Sequence, residues 1–288
     1  MHDPQDRRDL IQAFRILENP GFVARAMNAI GMPFDWLMSR LPESLTRPVQ
    51  DAVTASLHRA LELAISTLDQ GKAGRRQPSN RLHKLAAAAT GGFSGFFGLP
   101  ALAVELPITT SVMLRSIADI ARSQGEDLRQ VPARLACLEV FALGGSPVSE
   151  DSSDSGYYMT RIALARNIQE AAAYIARRGL AEEGAPALVR LIAAIARGFG
   201  STVSEKAAAQ AVPVLGAALG ATINALFMDY YQDMARGHFI VRRLERKYGA
   251  EDIRESYMVL VRKVEGGALP EAIRRPEPPT RKARRRRA

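Results

Sequence analysis

The stretch "GGFSGFFGLPALAVELP", residues 91–107, decides how the whole chain is read. A stretch this rich in glycine is a phosphate cradle, a nucleophile turn, a membrane segment or a bend between buried helices. Each reading makes its own demand on the neighbouring residues. A phosphate loop has the form G-x-x-x-x-G-K-[ST], in which backbone N–H groups surround the phosphates and a lysine neutralises them. No lysine follows Gly91, Gly92, Gly95 or Gly98, and their spacing does not match the dinucleotide fingerprint either. "GFSGF" approaches the hydrolase elbow G-x-S-x-G, but Phe96 takes the place of the last glycine and the preceding "KLAAAAT" reads as helix rather than strand. Ser94 is then a small residue at a tight helix contact, and the stretch is the bend of a close-packed helical hairpin.

Composition favours the same answer. Of the 288 residues, 47% are hydrophobic, enough to bury a sizeable core, and only 6% are aromatic. Alanine runs at 86–89, 171–173 and 207–209 suit closely packed helices. From Val49 the apolar positions Val53, Leu57, Leu61, Ile65 and Leu68 recur about every four residues, with Asp51, Arg59, Glu62 and Asp69 on the solvated side. "DQGKAGRRQPSN" ends that helix, and Ser79 or Asn80 caps the next. A further helix is predicted after Pro107, from about Ile108 to Gln124, closed by Gly125. Residues 144–156, "GGSPVSEDSSDSG", form a loop, a candidate hinge or lid. "YYMTRIALARNIQEAAAYIARRG" and "PALVRLIAAIARGFG" predict two helices, each ending in basic residues followed by glycine. From about Ser201 to Tyr248 the chain reads as helix interrupted at Pro213. No stretch alternates strictly, so no sheet is expected.

The expected architecture is therefore all-α. A compact multi-helix domain holds two Gly/Pro-rich apolar hairpins and carries a disordered basic C-terminal tail. The expected divisions are a helical segment at 1–78, a helical core at 79–268 and the tail at 269–288. A faint internal echo supports paired hairpins: Asp119-Ile120-Ala121-Arg122 and Asp233-Met234-Ala235-Arg236 each close a helix that begins in a Gly/Pro-rich apolar stretch.

The net charge of +9 belongs mostly to one end. Arg274 to Ala288 holds eight Lys or Arg and one Glu, which is +7, leaving +2 for the other 273 residues. The tail has no aromatic residue to stack on a base, so nucleic acid is the least favoured partner. Arg281, Lys282, Arg284, Arg285, Arg286 and Arg287 are instead candidates for binding an anionic membrane surface. Cys137, the lone cysteine, excludes an internal disulfide and reads as a small buried hydrophobe. His2, His58, His83 and His238 fall in no metal spacing and read as surface or cap residues, so neither a metal nor a cofactor is expected. No signal peptide is evident at the N-terminus.

Residues 85–104 and 207–228 are uncharged and long enough to cross a bilayer. They are rich in Ala, Gly and Pro, so spanning gains little, and buried or partly inserted hairpins are preferred over spanning helices. The pairs Gly91-x-x-x-Gly95 and Gly216-x-x-x-Gly220 permit close backbone approach in either setting. Glu105, Asp119, Asn224 and Asp229 lie on or beside these segments and need partners, which Arg115, Arg122 or Arg236 could supply. Glu105, Arg115, Asp119, Asn224 and Asp229 thus form the candidate polar pocket, either as structural ion pairs or as a ligand site.

The blocks "GGFSGFFGLPALAVELPITTSVMLRSIADIARSQGEDL", "CLEVFALGG" and "EKAAAQAVPVLGAALGATINALFMDYYQDMARGHFIVRRLERKYG" resemble, in order and spacing, the EcsC family of bacteria over roughly residues 80–250. That family takes its name from the third product of an ABC-transporter operon, and many members occur without the transporter. The resemblance implies a mostly helical protein with no established cofactor or catalytic residue, so none is carried over. Gly98, Pro100, Pro107, Asp119, Pro213, Gly216, Asn224 and Asp229 combine special backbone needs with buried polarity and are the positions to examine. The function expected is that of a non-enzymatic accessory protein, peripherally attached to the cytoplasmic face of the membrane through lipid or a membrane-protein partner. The alternative is a hydrolase or small-molecule or lipid binder with an acidic pocket between the hairpins.

Overall fold

The computed structural model describes residues 3–18, 46–68, 102–145, 155–179, 184–210 and 216–265. Among these residues the protein is all-helical, with eight helices and no strand. They are α1 (Pro4–Leu17), α2 (Thr46–Thr67), α3 (Leu102–Ser123), α4 (Val131–Leu143), α5 (Gly156–Arg178), α6 (Pro186–Gln210), α7 (Gly216–Tyr248) and α8 (Ala250–Glu265). The opening stretch up to residue 101, the loop residues 146–154, Pro213 and the basic tail lie outside the described residues.

Local sequence explains most helix boundaries. The Asp3 side chain caps α1 by accepting from the Gln5 amide at 2.8 Å, and Pro4 supplies a preset first turn. Ser155 caps α5 by accepting from the Tyr158 amide. Gly125, Gly179 and Gly249 follow α3, α5 and α7 with φ of +82°, +66° and +99°, backbone values that favour glycine. On α2 the expected stripe is buried at Val49, Val53, Leu57, Leu61 and Leu68, while Arg59 and Asp51 face solvent.

Two helices differ from expectation, and for identifiable reasons. Helix α3 does not start after Pro107 but runs through it from Leu102. Pro107 lacks the N–H that would bond back to residue 103, and one lost bond near a helix start is outweighed by packing on both sides. Helix α6 does not end at Gly198 or Gly200 but continues to Gln210. Gly198 is there for contact rather than capping: a Cβ on it would come within 3.0 Å of the Ala142 carbonyl at the end of α4.

Two apolar clusters share one long helix. The larger is built from α2, α3, α4, the later turns of α5, α6 and α7 as far as Phe239, with Phe141, Phe199, Phe227 and Tyr231 interlocked at centroid separations of 4.9–6.3 Å. The smaller joins α1 and α8 to the start of α5 and the second half of α7, around Phe14, Tyr157, Tyr158 and Tyr257. At 33 residues, α7 is about 50 Å long and reaches both clusters. The boundary drawn near residue 78 lies outside the described residues, and on its N-terminal side α2 packs within the larger cluster.

The two echoed segments meet. Helices α3 and α7 pack against each other, the Gln232 amide donates to Ser116 Oγ at 2.9 Å across the buried seam, and each helix carries its own Asp–Arg pair, Asp119 with Arg122 and Asp233 with Arg236. Substituting Gly198→Ala should lower stability by about 1–3 kcal/mol, because the neighbour at the new methyl is backbone and cannot step aside. Urea unfolding of that variant beside Gly200→Ala, whose Cβ would meet nothing, measures the difference.

Candidate functional site

Glu105 stands in the first turn of α3 with a side chain almost wholly buried. An isolated carboxylate there would be costly, and two other helices supply what it needs. Lys206 from α6 donates from Nζ to Glu105 Oε1 at 2.7 Å, and Asn224 from α7 donates from Nδ2 to the same oxygen at 2.6 Å. Thr109, one turn on in α3, reaches it at 3.5 Å. The Lys206 ammonium also lies 4.9 Å from the centroid of the Phe227 ring, a cation–π contact without solvent. Burial pulls the Lys206 pKa below the ordinary lysine value, and the Glu105 charge opposes that pull. The result is a buried polar knot joining three helices next to the apolar stretches flagged in the sequence.

The structure therefore brings together two of the five predicted pocket residues, Glu105 and Asn224. Asp119 is paired instead with Arg122 at 3.0 Å, and Arg122 also donates to the Leu68 carbonyl at 2.7 Å, tying α3 to the end of α2. Asp229 is half-buried, five residues beyond Asn224 and so turned about 140° around α7 from it. Arg115 is exposed and is not the partner of Glu105. It sits with Arg59 at a cleft of about 340 Å³ whose apolar lining is Leu63, Pro107, Ile108 and Val112. The tail cations Arg281 to Arg287 lie outside the described residues.

Lys206 was missed, although a signal existed. It continues the buried stripe Leu188, Ile192, Ile195, Phe199 and Val203, so its position on the inner face follows from helical spacing.

A second buried network links α4, α5 and α7. Tyr157 Oη is 3.1 Å from His238 Nδ1, and His238 Nε2 is 3.6 Å from the Glu139 carboxylate. Arg161 makes a two-pronged pair with Glu245 at 2.6 and 3.1 Å, and its Nε lies 3.9 Å from Glu139. His238 corrects the expectation of a surface or cap role, since it is fully buried. Burial, with Arg161 and Arg242 nearby, holds its pKa well below 6.5, so the ring is neutral. Burial also pushes Glu139 upward. Cys137 is buried as expected, its thiol pushed up to about 12, which leaves no thiolate for nucleophilic chemistry. Among the described residues no group of three or more His, Cys, Asp or Glu is placed to hold a metal.

The model of the EcsC protein family matches residues 25–244. The chain belongs to the EcsC protein family. No curated protein and no solved structure matches it. In this EcsC chain the matched region takes in the Glu105–Lys206–Asn224 knot and the Glu139–His238 network, whereas α1 and α8 fall on either side of it. Asp6 holds α1 to α7 by accepting from Lys247 at 2.5 Å and from Tyr248 at 2.7 Å, and Glu18, just past α1, accepts from both Ser155 at the start of α5 and Tyr257 of α8. One described helix, Pro186–Ala207, is long and apolar enough by composition to cross a bilayer, and 44% of that window is buried within the protein. Of the uncharged segment 207–228, residues 207–210 belong to the end of α6 and 216–228 to the start of α7, with residues 211–215 outside the described set.

Removing one partner of a buried pair is costlier than removing both. Lys206→Met should therefore destabilise the protein by about 3–5 kcal/mol. The double variant Glu105→Gln/Lys206→Met should recover most of that loss, read from urea midpoints. His238 adds a pH test. Its folded pKa lies below the unfolded value of 6.5, so its contribution is complete above pH 6.5 and is lost as the pH falls below it. Glu139 acts in the opposite sense, so the informative quantity is a difference between variants. Stability should drop more between pH 7 and 5.5 in the wild type than in His238→Gln.

Proposed function

We propose that this EcsC-family protein is a non-enzymatic accessory protein at the cytoplasmic face of the membrane, attached peripherally and engaging lipid or a membrane-protein partner such as a transporter. The observation that carries the reading is the exposed apolar edge at the start of α3. Val104 is 70% exposed and Ile108 48%, beside the apolar cleft rimmed by Arg59 and Arg115. Val104 is the last residue of the uncharged segment 85–104, so the exposed edge continues an apolar run of the sequence. An apolar floor with cations at its rim suits an acyl chain or an apolar side chain next to an anionic group.

The hydrolase reading needs Glu105, Asp119 or Asp229 to converge on a cleft as acid and base. Glu105 is instead bonded to Lys206 and Asn224 inside the core, and Asp119 to Arg122. This arrangement favours cohesion over proton transfer. The basic tail adds attraction, at about 1 kcal/mol for each Lys or Arg close to an anionic leaflet.

Flotation with vesicles tests the reading. The full chain should float with vesicles of mixed neutral and anionic phospholipid, and salt should weaken the association. Val104→Asp/Ile108→Asp should reduce flotation while leaving the thermal midpoint unchanged, because both side chains already face solvent. Failure of the unaltered chain to float with anionic vesicles, together with recovery only in the soluble fraction of lysed cells, would falsify attachment.

A further inference from the structure

We propose that the outer face of the α5–α6 hairpin is a docking surface for an anionic bilayer, independent of the C-terminal tail, and that it fixes which side of the folded body faces the lipid. The inference rests on the membrane-face reading and adds its orientation.

On α5, Met159, Ile162, Arg166, Ala173 and Arg177 are all exposed and recur at steps of three, four or seven residues. At 100° per residue they share one side of the helix. On α6, Val189, Arg190, Ala193 and Arg197 form a second exposed stripe. Glu170 shows that the two stripes lie side by side, since it accepts from Arg166 of its own helix at 2.8 Å and from Arg190 of α6 at 2.7 Å. The helices pack as consecutive partners in the chain, and the pairing of 170 with 190 sets their antiparallel register. That register places Arg197 level with residues 162–166 and Arg177 near the connecting turn.

The charge balance of this face differs from that of the rest of the body. Arg166, Arg177, Arg178, Arg190 and Arg197 are all exposed, whereas Glu170 is the one acid among the described residues between 156 and 200. Glu182 and Glu183 belong to the connection and lie outside the described residues. The body apart from the tail carries only +2, so this concentration of cations is local. Ile162, 53% exposed, stands one turn from Met159 and Arg166 on α5, and Val189, 45% exposed, lies beside Arg190 on α6. Cations alone would suit any polyanion. Apolar side chains set among them gain from a headgroup layer with acyl chains beneath it, and a phosphodiester backbone offers no such layer. Helix α6 passes for a spanning helix by composition, but Arg190 and Arg197 project from one side of it and Lys206 is held in the core, which suits a helix lying along a bilayer surface rather than crossing it.

The test uses the full chain with Arg274, Arg275, Arg281, Lys282 and Arg284 to Arg287 replaced by glutamine, so that tail attraction is removed. This protein should still float with anionic vesicles and not with neutral ones. Adding Arg177→Gln, Arg178→Gln and Arg197→Gln should lower binding about tenfold or more, and lysine at the same three positions should restore it. Ile162→Asn should weaken vesicle binding further, whereas Val259→Asn, an exposed apolar position on α8, should not. Circular dichroism melts establish that each variant is folded. Loss of all flotation on tail neutralisation, or equal flotation with and without the three arginines, overturns the proposal while the membrane-face reading stands. If the unaltered chain does not float, the parent reading fails first. If the three arginines govern retention on duplex DNA but not vesicle binding, the face belongs to nucleic acid and the proposal is overturned.

Discussion

The charge of Glu105 is the constraint around which the larger core is arranged. A carboxylate buried at the start of α3 has to be met by a cation and a donor, and they come from Lys206 on α6 and Asn224 on α7. Both donate to one oxygen, so the three helices are held at one point rather than along a sliding apolar seam. Apolar packing tolerates many registers, whereas a buried ion pair tolerates few, because any slip leaves a charge without its partner. The interlocked rings of Phe199, Phe227 and Tyr231 lie on the same two helices, α6 and α7, and their packing depends on that registration.

Helix α7 extends this order to the other end of the molecule. Beyond the knot it carries His238, which meets Tyr157 and Glu139, then Glu245, which holds Arg161, and finally Lys247 and Tyr248, which hold Asp6 of α1. These polar contacts reach three other helices, α5 twice, α4 and α1. The interior chemistry is thus spent on cohesion, and the features suited to a partner lie outside: the apolar edge at Val104 and Ile108, and the arginine face of α5 and α6.

Much of the fold was legible in local spacing. The stripe on α2, the glycine after α5 and the absence of strands among the described residues all follow from periodicity and capping, which are properties of neighbours in sequence. The errors came where a residue serves a distant one. Gly198 reads as a helix stop but is a contact point with Ala142 of α4. Pro107 reads as a boundary but is carried inside α3. His238 reads as a surface group but is shielded by α4 and α5. Of the candidate pocket, Glu105 and Asn224 were found because charge and amide in an apolar stretch are conspicuous, while Arg115 was chosen by sequence proximity and faces solvent.

The sequence by itself determined the all-helical class, the family and, in Glu105 and Asn224, two of the buried polar groups in need of partners, because composition, period and motif order are written along the chain. Tertiary structure alone decided the pairings. Glu105 and Lys206 are 101 positions apart, and helical period says only that each faces inward. Which inward-facing groups meet depends on the crossing of three helices in space, and nothing local in the chain encodes that crossing.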